Sequence, residues 1–104
     1  MSAILNRKVT LVGAGKVAGS LAHALQAKGI NIHEIFSRSL DSAKQLSTSI
    51  AGSATTNSLD FTTSESTLFI IAVSDDAIAE VAQKIKLPED AYLFHTSGTV
   101  SVKV

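Results

Sequence analysis

Val9-Thr10-Leu11-Val12-Gly13-Ala14-Gly15-Lys16-Val17-Ala18 is the stretch on which the reading of this chain turns. A short β-branched run is cut off at Gly13 and Gly15, the pattern of a buried strand that ends in a glycine turn. From Lys16 the apolar spacing becomes helical. Val17, Leu21 and Leu25 fall four apart, Ala18 and Ala22 lie beside them, and Gly29 stands where a C-terminal cap is expected. The order is strand, tight turn, helix. Within it each small residue of Gly13-x-Gly15-x-x-Ala18 has its own use. Gly13 turns the chain, Gly15 lets a pyrophosphate approach the backbone, and Ala18 lets the helix pack close to the sheet. Gly13, Ala14, Gly15, Lys16, Val17 and Ala18 are therefore the candidate phosphate cradle, because the free N–H groups of a first helical turn attract an anion. A tight strand–helix turn without a ligand is the plainer alternative.

Outward from this unit the same alternation repeats. Ile30 to Phe36 reads as a second strand, and Asp41-Ser42 can cap a helix with Ala43, Leu46 and Ile50 on one face. Ala54-Thr55-Thr56 is a candidate short third strand in a Ser/Thr-rich segment. Thr67 to Val73 is a continuous apolar run, as in a central strand covered on both faces. Ser74-Asp75-Asp76 can cap a helix with Ile78, Val81, Ala82 and Ile85 inward, which Pro88 forbids from continuing. Ala91 to His95 is a fifth strand. The tail from Val100 to Val104 fits either a strand or a helix start. Crossover helices between successive strands demand a parallel sheet. The expectation is an α/β, Rossmann-like three-layer fold with about five strands in the order 3-2-1-4-5 and helices on both faces.

Composition narrows the function. The chain has 104 residues, 45% hydrophobic and 17% charged, enough for one cored domain and too few for two. Lys plus Arg and Asp plus Glu both number 9, so no overall positive field draws nucleic acid or an anionic membrane. No cysteine is present, and the three histidines lack metal-ligand spacing, so no metal site is expected. Nothing in the sequence has the length of a signal peptide's apolar core or a membrane span, and a cytoplasmic location is expected.

About 20 residues after a glycine loop of this type, NAD-binding domains place a carboxylate on the adenosine ribose. Here the positions read Ser37-Arg38-Ser39. No carboxylate repels a 2′-phosphate, and Arg38 offers a bidentate guanidinium flanked by two hydroxyls, so NADP is the expected cofactor. An ordinary surface arginine is the alternative. Val73 and Ser74 end the fourth strand beside the point where strand order reverses. They can touch a ribose, or Ser74 can simply cap the helix. His95, at the end of the fifth strand, and Ser97 just after it are the candidates for substrate contact or proton transfer, with a structural histidine as the alternative for His95.

Leu11 to Leu21, Ser37-Arg38-Ser39, Ala72 to Ile78 and His95-Thr96-Ser97-Gly98-Thr99 together resemble the N-terminal domain of the 6-phosphogluconate dehydrogenase-like oxidoreductases. Pyrroline-5-carboxylate reductases and deazaflavin-dependent NADP oxidoreductases are relatives in that superfamily. The resemblance implies that Gly13 to Ala18 hold the pyrophosphate and Ser37 to Ser39 the 2′-phosphate. It places Val73 and Ser74 at the nicotinamide-side ribose and His95 to Gly98 at the substrate. It also implies a helical C-terminal domain that completes the pocket and often dimerises. Residues 1–104 would then be the dinucleotide-binding domain, working with a separate partner domain or as a homodimer, and isolated it is expected to bind NADPH without turnover. The implied activity is hydride transfer to or from a small carbonyl, imine or hydroxy substrate. A non-catalytic dinucleotide sensor is the alternative, and a methyltransferase is disfavoured by the missing carboxylate at Ser37.

Overall fold

The computed structural model describes residues 8–50, 52–73, 75–95 and 101–103. Its elements are β1 (Lys8–Val12), α1 (Lys16–Ala27), β2 (Asn31–Phe36), α2 (Leu40–Ser47), β3 (Ala54–Thr56), β4 (Leu68–Ile71), α3 (Asp75–Lys84), β5 (Tyr92–His95) and β6 (Ser101–Lys103). The sheet order is β3-β2-β1-β4-β5-β6. The first five strands pair in parallel, in the order 3-2-1-4-5, and the fold is Rossmann-like. Residues 101–103 add an antiparallel edge strand, with Leu93 opposite Val102. That outcome decides the ambiguous tail in favour of a strand.

Two apolar layers form because side chains alternate across each strand. Val9, Leu11, Ile32 and Ile35 meet Ala18 and Ala22 of α1 and Ala43 of α2 on one face. Val12, Phe36, Phe69 and Ile71 meet Val81 of α3 and Phe61 on the other. β4 feeds both layers, with Leu68 and Ile70 on the first and Phe69 and Ile71 on the second, hence its uninterrupted apolar sequence. Phe69 is fully buried and packs against Phe61 with ring centres 5.2 Å apart. Burying such a side chain contributes about 1.5–3 kcal/mol.

β2 solves a parity problem. Ile32 and Ile35 are three residues apart, an odd separation that would send them to opposite faces of a regular strand. The pairing shifts there, Val9 opposing Ile32 and Thr10 opposing Glu34, so His33 is left over and both isoleucines reach the same layer.

Thr10 is a polar residue in the middle of the core. Its hydroxyl lies 2.7 Å from both Glu34 Oε1 and Ser66 Oγ. One hydroxyl has one proton, so Thr10 donates to the carboxylate and accepts from Ser66. Ser64 also donates to Glu34 Oε1 (2.5 Å), and its Oγ accepts the Ser66 N–H (3.1 Å). The network ties the segment before β4 to β1 and β2. No buried side-chain polar atom among the described residues lacks a partner.

On α1 Ala18 and Ala22 are buried in the first layer, as expected of the small residue at position 18, with Leu21 and Leu25 partly buried against the same layer, while Val17 is 59% exposed at the cleft. Two local expectations change. Helix α2 starts after Ser39, not Asp41, and Asp41 lies in its first turn, where a carboxylate favours the helix dipole. Ala82 on α3 is exposed while Val81 is buried. That helix ends at Lys84, before Pro88, because Lys86 pairs with the 59–61 segment: its N–H donates to Leu59 O and its O accepts the Phe61 N–H.

Candidate functional site

The carboxyl ends of β1 and β4 lie side by side where the strand order reverses, and ligands of open α/β sheets bind in the crevice so formed. A cleft of about 790 Å³ occupies this place. Its size suits a small ligand or a large part of a dinucleotide.

The two glycines of the turn do different things. Gly13 adopts φ +132°, and a Cβ there would lie 2.4 Å from the carbonyl oxygen of Ala72. Its missing side chain lets the turn lie against the end of β4. Its N–H donates to Phe36 O (2.8 Å), while Ala72 N–H donates to Val12 O (2.8 Å), so the turn is held between β2 and β4. Gly15 has an ordinary φ of −82°, and a Cβ there would meet nothing within 4 Å. Neither backbone conformation nor packing inside the protein requires glycine at position 15. The open space it leaves belongs to the cleft.

Helix α1 starts at that space without help from the chain. Gly15 offers no side-chain cap, and the first turn holds no acidic residue. The first helical bond runs from Gly19 N–H to Gly15 O (2.8 Å), so the N–H groups of Lys16, Val17 and Ala18 precede it. Those donors and the positive end of the helix dipole suit a pyrophosphate.

Gly13, Ala14, Gly15, Lys16 and Val17 line the cleft, and Ala18 lies buried beneath the helix, as close helix–sheet packing requires. Ser37, Arg38, Ser39 and Val73 also line it. Ser37 Oγ accepts the Ser39 N–H (3.2 Å), shaping the loop after β2, and Ser37 N–H donates to Thr56 O (3.1 Å). Ser39 stands at the N-cap of α2, yet its hydroxyl makes no capping bond. His95 ends β5, next to β4 in the sheet. Its side chain, like Ser74 and Ser97, lies outside what is described.

The cleft contains residues that sequence reasoning did not single out. Asn57 and Leu59 come from the Ser/Thr-rich segment after β3, and Glu80 and Lys84 come from α3, beside Val81, which the sequence marks only as a core position. Glu80 Oε1 lies 3.6 Å from Arg38 Nη1, and Glu80 Oε2 lies 3.4 Å from Lys84 Nζ. The four-residue spacing of Glu80 and Lys84 was a visible helical pair, but only the fold brings it to Arg38. His23 is away from this chemistry, with Nδ1 2.8 Å from Gly19 O and Nε2 3.2 Å from Ser49 Oγ, joining α1 to the end of α2. Among the described residues no group of three His, Cys, Asp or Glu could hold a metal ion, and no helix is long and apolar enough to cross a membrane.

The comparisons with known proteins agree with this geometry. Residues 8–97 match the family described as NADP oxidoreductase, coenzyme F420-dependent. A Bacteroides fragilis protein provisionally assigned as an NADP oxidoreductase has a crystal structure similar to this chain, at TM-score 0.79 and 32% identity over 93% of the chain. Prephenate dehydrogenase from A. aeolicus, solved with hydroxyphenyl propionate and NAD+, is similar in fold at TM-score 0.71 and 22% identity over 86% of the chain. This chain spans 38% and 32% of the lengths of those two proteins. No curated protein matches it. Fold, cleft and comparisons define a Rossmann domain of the kind that binds nicotinamide dinucleotides in oxidoreductases. The chain belongs to the family of coenzyme F420-dependent NADP oxidoreductases.

Proposed function

We propose that this chain is the NADP(H)-binding part of an oxidoreductase that transfers hydride to or from a small carbonyl, imine or hydroxy substrate. The observation that carries the reading is that one cleft holds both the uncapped start of α1, opened by Gly15, and Arg38 at the end of β2. The first-turn N–H groups bind the pyrophosphate. Arg38, with the hydroxyls of Ser37 and Ser39, takes the 2′-phosphate by charge-assisted hydrogen bonds. Leu59 and Val81 supply apolar walls, and Val73, in the same lining, would approach the ribose on the nicotinamide side. A bound nicotinamide would supply or accept the hydride, and the residues that line the cleft would hold the dinucleotide that carries it. Residues that close the substrate side come from a C-terminal domain or a second subunit, and the protein works in the cytoplasm.

Titration of the chain with NADPH and NADH tests this reading. NADPH should bind roughly tenfold or more tightly, the discrimination expected from a charged bidentate contact of about 1.5–3 kcal/mol. Arg38→Ala should remove most of the difference. Equal dissociation constants for the two cofactors in the wild-type chain would defeat the proposal, as would tighter binding of S-adenosylmethionine than of either.

A further inference from the structure

The described lining of the cleft carries three cationic side chains, Lys16, Arg38 and Lys84, and a single carboxylate, Glu80. That carboxylate is not remote from the candidate phosphate contact. It is 3.6 Å from the Arg38 guanidinium, with its other oxygen 3.4 Å from Lys84. The Glu80 side chain is 48% exposed and the Arg38 side chain 78%, so neither packing nor burial holds the pair in place. An exposed pair of this kind contributes little to stability, about 0–1 kcal/mol, and is easily exchanged for a better anion.

We propose that Glu80 is a specificity-tuning residue that competes with the 2′-phosphate for Arg38, with Lys84 holding Glu80 when the phosphate arrives. This rests on the reading that Arg38 receives that phosphate. A dianionic phosphate meets a carboxylate already on its partner, so binding must break or weaken the Arg38–Glu80 contact and tolerate a like charge nearby. A dinucleotide with a plain 2′-hydroxyl leaves the ion pair intact. Glu80 therefore lowers affinity for the phosphorylated cofactor alone and narrows the preference that Arg38 creates. Lys84 acts oppositely, since it neutralises Glu80 through the other carboxylate oxygen. Lys84 is on the same helix, one turn further on, and keeps its partner whichever anion Arg38 holds.

The test is a calorimetric titration of wild-type, Glu80→Gln, Lys84→Gln and Arg38→Ala chains with adenosine 2′,5′-bisphosphate and 5′-AMP, then with NADPH and NADH. Glu80→Gln should tighten adenosine 2′,5′-bisphosphate and NADPH by roughly three- to tenfold, the effect of removing one exposed charge a few ångströms from a dianion. Its affinity for 5′-AMP and NADH should stay within about twofold, a selectivity that a purely structural role for Glu80 would not produce. Lys84→Gln should weaken only the two phosphorylated ligands. The gain in Glu80→Gln should also shrink as salt is raised, because both charges face solvent. If wild-type protein prefers the phosphorylated ligands but Glu80→Gln leaves them unchanged or weaker, the competition is disproved while the Arg38 reading stands. Selective loss of NADH and 5′-AMP binding in Glu80→Gln would likewise overturn it, by making Glu80 a ribose ligand. If the wild-type chain does not distinguish the ligand pairs and Arg38→Ala changes nothing, the underlying reading fails too.

Discussion

Gly13→Ala and Gly15→Ala add the same methyl group two residues apart, and the structure assigns them opposite consequences. At position 13 the methyl carbon would lie 2.4 Å from Ala72 O and 3.0 Å from Ala72 C, both backbone atoms, and φ is +132°. A non-glycine residue held in so sparsely populated a conformation costs about 1–3 kcal/mol. Forcing backbone apart to admit a methyl group adds about 1–3 kcal/mol. The sum, about 2–6 kcal/mol, is a large part of the roughly 5–15 kcal/mol that holds a typical domain folded. At position 15 the methyl group meets nothing within 4 Å and φ is −82°. Stability should therefore hold or rise by about 0.4–1 kcal/mol through the less flexible unfolded chain. Thermal unfolding followed by circular dichroism separates the two, since about 1 kcal/mol moves Tm by roughly 4–8 °C in a domain this small. Gly13→Ala should lower Tm by about 10 °C or more, or fail to fold. Gly15→Ala should keep Tm but lose the rise that NADPH gives the wild type, and Gly15→Val should lose binding altogether. A Gly13→Ala chain as stable as wild type, or a Gly15→Ala chain as damaged as Gly13→Ala, would refute the division of labour.

Thr10→Val should destabilise the chain by about 1–3 kcal/mol in urea unfolding, because it takes the Thr10 partner from the buried Ser66 hydroxyl and leaves Glu34 Oε1 with Ser64 alone; an unchanged midpoint would show that the network adds nothing. Acid should reveal two surface contacts. Asp60 is held below the ordinary carboxylate range by the Thr62 hydroxyl and N–H, and Glu65 by its hydrogen bond from Lys8 and by that lysine's charge. Their support is complete above the ordinary carboxylate pKa, where the unfolded chain is also ionised, and drains as pH falls through the lower folded values. Asp60→Asn with Glu65→Gln should thus flatten the acid limb of a stability–pH curve slightly and leave its position near neutral pH lower, whereas a steeper acid limb would contradict the sign.

The sequence disclosed what is local and periodic. Gly13-x-Gly15-x-x-Ala18 after a β-branched run was enough to place the first strand, the turn and the helix, and continuous apolarity marked β4 as central. Strand β3 was legible as Ala54-Thr55-Thr56 even in a polar segment. On α1 the period marked a helical stripe in which Leu21 and Leu25 pack against the core, but it could not say that Val17, at the start of the stripe, is exposed at the cleft. The skipped residue at His33 was hidden, since a bulge is visible only against the partner strand. Arg38 could be singled out by what is missing around it, whereas Glu80 could not. Its neighbour Lys84 is four residues away, but Arg38 lies far back in the chain and meets it only after β4 and α3 are laid beside β1 and β2.

If the cleft above β1 and β4 holds NADP(H), the pyrophosphate rests on the start of α1 and the 2′-phosphate on Arg38. Amide chemical-shift mapping of the 15N-labelled chain during an NADPH titration tests that placement directly. Saturable shifts should concentrate at Gly13 to Ala18 and Ser37 to Ser39, the latter set much smaller with NADH, and both sets should vanish in Gly15→Val. Shifts scattered over the surface, or the same pattern persisting in Gly15→Val, would contradict it.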